Sequence, residues 1–141
     1  MFFPEIDREA TKKNARRKLR EYARWRRLAG DFGVQKVTAT FSFEPRQAHT
    51  MPSRAVERLA INRVTAEMEL EAIERAVNAL VEPVYRRVLV EKFLLVYPKA
   101  DEVIYRRLGY ERSRYYELVD EALLAFAEAY RHGALMVLVD V

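Results

Sequence analysis

The chain has 141 residues, half of them hydrophobic, with four Gly, five Pro and no Cys. That length buries one modest core at most, the Gly and Pro content excludes low-complexity and collagen-like polymers, and the missing cysteines exclude disulfides, thiolate metal sites and a Cys nucleophile. Net charge is +4, but residues 1–30 hold ten Lys or Arg against four acids, an imbalance that looks toward a polyanion.

No apolar run approaches the roughly 20 residues that span a bilayer. The start, MFFPEIDREATKK, lacks a basic stretch followed by an apolar one and so does not read as a signal peptide. The expected setting is the cytoplasm, with no membrane contact.

In chain order, Asp7 caps a predicted helix running to about Ala29, with Gly30 just past its end. On that helix Lys13, Arg16, Arg17, Arg20, Arg24 and Arg27 fall within about 100° of one another, opposite Ala15, Leu19, Tyr22, Trp25 and Ala29. The six cations are candidate contacts for phosphates or for an acidic protein surface; the plain alternative is a solvated face on a packing helix. Residues 31–53 carry Gly33, Pro45 and Pro52 and read as a linker, although alternating Val37, Ala39, Phe41 and Phe43 allow a short extended piece.

Ser53 then caps a long helix reaching Val81, with Val56, Leu59, Ala60 and Val64 expected inside in its first half and Ala66, Leu70, Ile73, Val77 and Leu80 in its second. Pro83 suits the first position of the next helix, Pro83 to Tyr97, with Val84, Val88, Leu89, the Lys92 stem and Leu95 facing inward. Pro98 stops it.

From 98 to 130 the pattern becomes a short helix, a tight turn and a longer helix. Asp101 is the expected N-cap, Val103, Ile104 and Leu108 are the apolar positions, and Gly109 ends the element. The second helix begins near Arg112 and places Tyr115, Leu118, Ala122, Phe126 and Ala129 on one face. Opposite lie Ser113, Glu117, Asp120 and Glu128, flanked at the first turn by Arg112, Arg114 and Tyr116. Arg can donate two hydrogen bonds to guanine, Ser can bond a base or a phosphate, and Tyr can reach a phosphate oxygen. Arg112, Ser113, Arg114, Tyr116 and Glu117 are therefore candidate DNA groove contacts, and Arg106 and Arg107 of the preceding helix candidate phosphate or acidic-partner contacts. Beyond Tyr116 the exposed face turns acidic, which confines contact with a duplex to the first turn and a half. The tail 133–141, GALMVLVDV, is too apolar to stay free and is expected to fold back, with Leu123 and Leu124 offering a surface; a dimer-forming strand or a polymerase contact is the alternative.

The only histidines, His49 and His132, lie in a Pro-flanked loop and beside Gly133, and no Gly-rich loop cradles phosphate, so no catalytic, metal or cofactor site is expected.

From Leu80 to Leu123 the chain resembles region 4 of bacterial sigma factors: Leu80, Pro83, Arg87 and Leu89 begin it, and Leu-Gly-Tyr-Glu-Arg-Ser-Arg-Tyr-Tyr stands where sigma factors carry Leu-Gly and a Ser/Arg-rich recognition helix. The whole chain is closer to the ArpU-type regulators of Gram-positive phages, which it resembles in FFPEID, in Arg27 to Gly30, in INR before an acidic stretch, and above all in LGYERSRYYELVDEALLAFAEAY. That resemblance implies a sigma-like regulator in a bacterial host cell, controlling late or lysis genes, bound to double-stranded DNA as a monomer or homodimer, with host RNA polymerase as a second partner. Glu111 departs from the Ser or Thr that caps the sigma recognition helix. The competing reading is a DNA-packaging component such as a small terminase subunit. The expected fold is all-α, a small helical bundle with a basic N-terminal helix (1–30), a linker (31–53), a helical domain (54–132) whose helix-turn-helix spans 98–130, and an apolar tail.

Overall fold

The computed structural model describes residues 4–30 and 54–139, apart from the side chains of 55–61. The linker, its alternating aromatics, Ser53, His49 and the inward positions Val56, Leu59 and Ala60 lie outside the described residues. The fold is all-α. Its helices are α1 (Arg8–Arg20), α2 (Tyr22–Ala29), α3 (Arg54–Asn78), α4 (Pro83–Leu89), a π-helical turn (Val90–Leu94), α5 (Asp101–Leu108) and α6 (Arg112–Ala129), closed by a 3-10 turn over Tyr130–His132. Among the described residues no helix is long and apolar enough to cross a membrane, and no group of His, Cys, Asp or Glu could hold a metal ion. The chain forms two compact units, one made of the residues up to Tyr22 with those from Ala72 onward, the other of Ala23–Glu71.

In the first unit α6 is the central element, packed by α1, α4 and α5. Tyr115, Leu118, Ala122 and Phe126 are buried as their spacing requires. So are Val119, Leu123, Leu124 and Ala127, because α1 covers a second face; a helix covered on two sides must be apolar over most of its circumference. Leu123 and Leu124 are thus buried.

Asp7 caps α1 as expected, its Oδ1 accepting from the Ala10 amide at 3.1 Å. The basic helix is not one continuous rod: it is interrupted at Glu21, and α2 runs on from Tyr22 to a left-handed Gly30. Ala15, Leu19 and Tyr22 are buried with Thr11. The Thr11 hydroxyl accepts the Val137 amide at 3.0 Å, and Asn14 donates to the Leu135 carbonyl at 3.2 Å. Ile6 and Leu138 form an antiparallel bridge, with Asp7 donating to Val137 and Val139 to Glu5. The tail therefore does fold back, onto the start of α1. It reverses through Arg131, His132 and Gly133, all with positive φ, a conformation that costs the two side-chain-bearing residues about 1–3 kcal/mol each.

Within α3, Ala66, Leu70, Ile73 and Val77 are buried at helical spacing, while Val64 is exposed, contrary to expectation, because it stands about 160° around the helix from Ala66. The helix also ends at Asn78, which leaves Val81 exposed. The helix expected over Pro83 to Tyr97 is α-helical only to Leu89, widens into the π turn and ends at Leu95. The widening turns Glu91 inward, where its Oε1 accepts from Lys99 at 2.9 Å and Arg107 at 3.2 Å.

Candidate nucleic-acid interface

The surface lies where α5 meets α6. Gly109 takes φ 79°, ψ 23° after Leu108, and Tyr110 donates back to the Tyr105 carbonyl at 2.9 Å, so the chain reverses in three residues. Nothing stands within 4 Å of a Cβ built on Gly109, so the demand for glycine comes from its backbone angles alone. Of the apolar positions expected in α5, Ile104 is buried and Leu108 half-buried, whereas Val103 is exposed because it lies about 100° around the helix from Ile104 and about 140° from Leu108.

Asp101 does not cap α5. Ala100 holds the N-cap position, and the Asp101 carboxylate instead takes tertiary donors: Tyr115 Oη at 2.6 Å, Lys92 Nζ at 2.5 Å and Tyr116 Oη at 3.4 Å. Burial pushes the Asp101 carboxyl up, but the hydrogen bonds from Lys92 and Tyr115 outweigh it and hold the group below its ordinary value. Burial, reinforced by the bond to Asp101, drives the Tyr115 hydroxyl upward. This one carboxylate ties the π turn, the start of α5 and the first turn of α6 together, which fixes the angle at which α6 leaves the turn. Sequence spacing points to Asp101 as a cap; its long-range partners follow only from packing.

Glu111 is the N-cap of α6 by backbone angle but makes no side-chain capping bond. Arg112, Ser113, Arg114, Tyr116 and Glu117 are all exposed, so the structure brings the expected groove contacts onto one surface. The two arginines are not equivalent. Arg114 donates to Glu117 Oε2 at 3.0 Å and to Glu121 Oε1 at 3.3 Å, and the other oxygen of Glu121 accepts from Tyr85 Oη at 2.7 Å. Those bonds, led by the one from Tyr85, hold Glu121 below its ordinary range. Arg112 instead lies over the Tyr116 ring, 5.8 Å from its centroid, and pairs with no carboxylate among the described residues. The Arg114–Glu117 spacing was readable in the chain; the Tyr85 anchor on Glu121 was not.

Of the remaining cations, Arg106 is exposed and paired with Glu102 at 2.6 Å, and Arg107 is held by the nearly buried Glu91. Lys13, Arg17 and Arg20 are exposed and Arg16 half-buried on α1, in the same unit as α6. Arg24 and Arg27 are exposed on α2, in the second unit.

The chain is 49% identical over 137 residues to a protein of Streptococcus phage O1205 named autolysin regulatory protein ArpU, a match that covers 97% of this chain and 99% of the relative. The chain belongs to the ArpU family of autolysin regulatory proteins. An ArpU protein of Enterococcus hirae is 29% identical over 132 residues, 94% of each chain. No family model matches the chain, and no solved structure matches it. Both ArpU matches run through α1, α4, α5 and α6, so the turn at Gly109 and the exposed first turn of α6 lie within the aligned span.

Proposed function

We propose that this ArpU protein is a sequence-specific, double-stranded-DNA-binding transcriptional regulator of a phage or prophage, working in the bacterial cytoplasm on late or lysis genes. In this reading α5 and α6 form a sigma region 4-like helix-turn-helix, with the first turn of α6 entering the major groove. The observation that carries it is that turn: Arg112, Ser113, Arg114 and Tyr116 stand exposed together at the N-terminal end of a helix whose remaining length is gripped by the core. Positive peptide dipoles at a helix start favour phosphate, and Arg112 lies ready to donate two hydrogen bonds to a guanine edge. Glu117, Asp120, Glu121 and Glu128 repel phosphates along the rest of the helix, so it enters tip first. The regulatory name of the two relatives supports control of gene expression over catalysis. Host RNA polymerase is the natural second partner of a sigma-like regulator.

Sequencing the DNA that co-purifies with the protein from host cells tests the proposal. A recurring site upstream of late or lysis genes, bound in vitro by the parent and lost in Arg112→Ala, is the expected result. Recovery of DNA without any shared site would sink sequence-specific regulation.

A further inference from the structure

A second cationic surface exists in the first unit, and contacts along α6 fix its distance from the first. Lys12 Nζ stands 3.3 Å from Asp120 Oδ2, and Lys18 Nζ stands 5.5 Å from the Tyr130 ring centroid. So α1 runs alongside α6 in the same direction, with the stretch around Arg16 and Arg17 beside its C-terminal half. At a rise of about 1.5 Å per residue, Asp120 lies about 12 Å and Tyr130 about 27 Å along the axis from Arg112, which puts this stretch roughly 20 Å from the recognition turn.

Thr11, Ala15 and Leu19 are closed into the core, leaving Lys13, Arg16, Arg17 and Arg20 on the outward side of α1. Two other cations of the same helix are neutralised within the fold, Lys12 by Glu9 and Asp120, and Lys18 by Glu21. The four outward ones pair with no carboxylate among the described residues. Among the residues of α1 itself no apolar side chain is exposed. Protein interfaces are built on buried aromatic or aliphatic anchors, with charge at the rim, whereas a phosphate backbone is held by cations alone. This face is therefore suited to nucleic acid. Arg114 and Lys12 offset two of the four carboxylates on the flank of α6 (Glu117, Asp120, Glu121 and Glu128), and the net negative charge that is left keeps that helix from lying flat along the groove its tip enters, so α1 stands off from that groove.

We infer that the outward face of α1 grips a second segment of duplex DNA, outside the groove occupied by the first turn of α6. The inference rests on the DNA-binding reading proposed above. The second segment comes either from the same molecule, by bending, or from another duplex brought alongside.

The test uses the full chain and the strongest duplex recovered from host cells, cut to two helical turns (about 20 base pairs) and to about 80 base pairs. The parent is compared with a variant carrying Lys13→Gln, Arg16→Gln, Arg17→Gln and Arg20→Gln, and with Arg112→Ala; if the fourfold variant melts early, Lys13→Gln with Arg17→Gln replaces it. The parent should bind the long duplex more tightly than the short one, or capture a labelled second duplex on an immobilised first. The fourfold variant should lose that gain while keeping the short-duplex affinity within about twofold and the same salt slope. Arg112→Ala should instead lose the short duplex. A short-duplex salt slope lowered by about 0.9 for each removed cation would place the α1 face on the recognised groove and overturn the inference. A parent that gains nothing from the longer duplex and captures no second one would also overturn it, leaving an acidic protein as the partner. In either case Arg112→Ala still reports separately on whether the recognition turn reads DNA.

Discussion

Arg112 and Arg114 sit two residues apart on the same exposed turn, and chemistry separates them. Arg112 has an aromatic ring beneath it and no carboxylate partner among the described residues, so its donors can turn to a base edge without breaking an ion pair. Arg114 is committed to Glu117 and Glu121, and Tyr85 fixes Glu121 in turn. Exposed pairs of this kind add little stability, yet they decide what the guanidinium does near DNA: it offsets part of the charge of two carboxylates that would otherwise face phosphate. Arg112→Ala should weaken cognate binding by about 1–3 kcal/mol and relax the preference at one base pair. Arg114→Ala should weaken cognate and random duplexes alike, and adding Glu117→Gln and Glu121→Gln should restore the loss. If Arg114→Ala instead relaxes base preference and the added Gln substitutions restore nothing, Arg114 is a reading residue and the division between the two is wrong.

At the scale of elements, the turn between α5 and α6 is the most demanding piece of backbone near the surface. Gly109 holds φ 79° with open space around it, so Gly109→Ala should cost about 1–2 kcal/mol through the left-handed conformation alone, and Gly109→Asn less. Chemical denaturation measures this directly; an Ala variant as stable as the parent would mean that the turn relaxes to another conformation. The bounds of α5 and α6 were legible in the sequence because Gly109 and the apolar spacing of 115, 118, 122 and 126 are local signals. The second buried face of α6 was less legible, since Val119, Leu123 and Ala127 are apolar for the sake of α1, more than a hundred residues away in the chain. Nor does any local pattern announce the π turn at Val90–Leu94, whose inward Glu91 is matched by Lys99 and Arg107 only after folding. Of the candidate surface, exposure of Arg112, Ser113, Arg114, Tyr116 and Glu117 was readable from periodicity. The partners that separate Arg112 from Arg114 were not.

Across the molecule, Asp101 joins three elements through one carboxylate, and this makes the integrity of the surface depend on pH. Lys92 and Tyr115 favour the ionised form, so the folded-state pKa lies below the ordinary 3.8. The resulting stability is fully present well above that value and is lost as pH falls through the folded pKa, because protonation removes the counter-charge of Lys92 and the acceptor of Tyr115. Asp101→Asn imposes that loss at every pH while keeping the shape of the side chain. The parent should therefore melt above Asp101→Asn at pH 7, and the gap should begin to narrow as pH falls toward the ordinary 3.8 and go on narrowing below it, as the parent's own carboxyl takes up its proton. DNA binding by the variant should be weakened at neutral pH as well, since Tyr115 and Tyr116 lose the carboxylate that positions the first turn of α6. Thermal melts of both proteins across that range measure the gap. A difference that stays constant to well below pH 3.8 would show that Asp101 contributes through its shape alone, and the three elements would then be held by the apolar contacts of Ile104, Tyr115 and Leu118 instead of by charge.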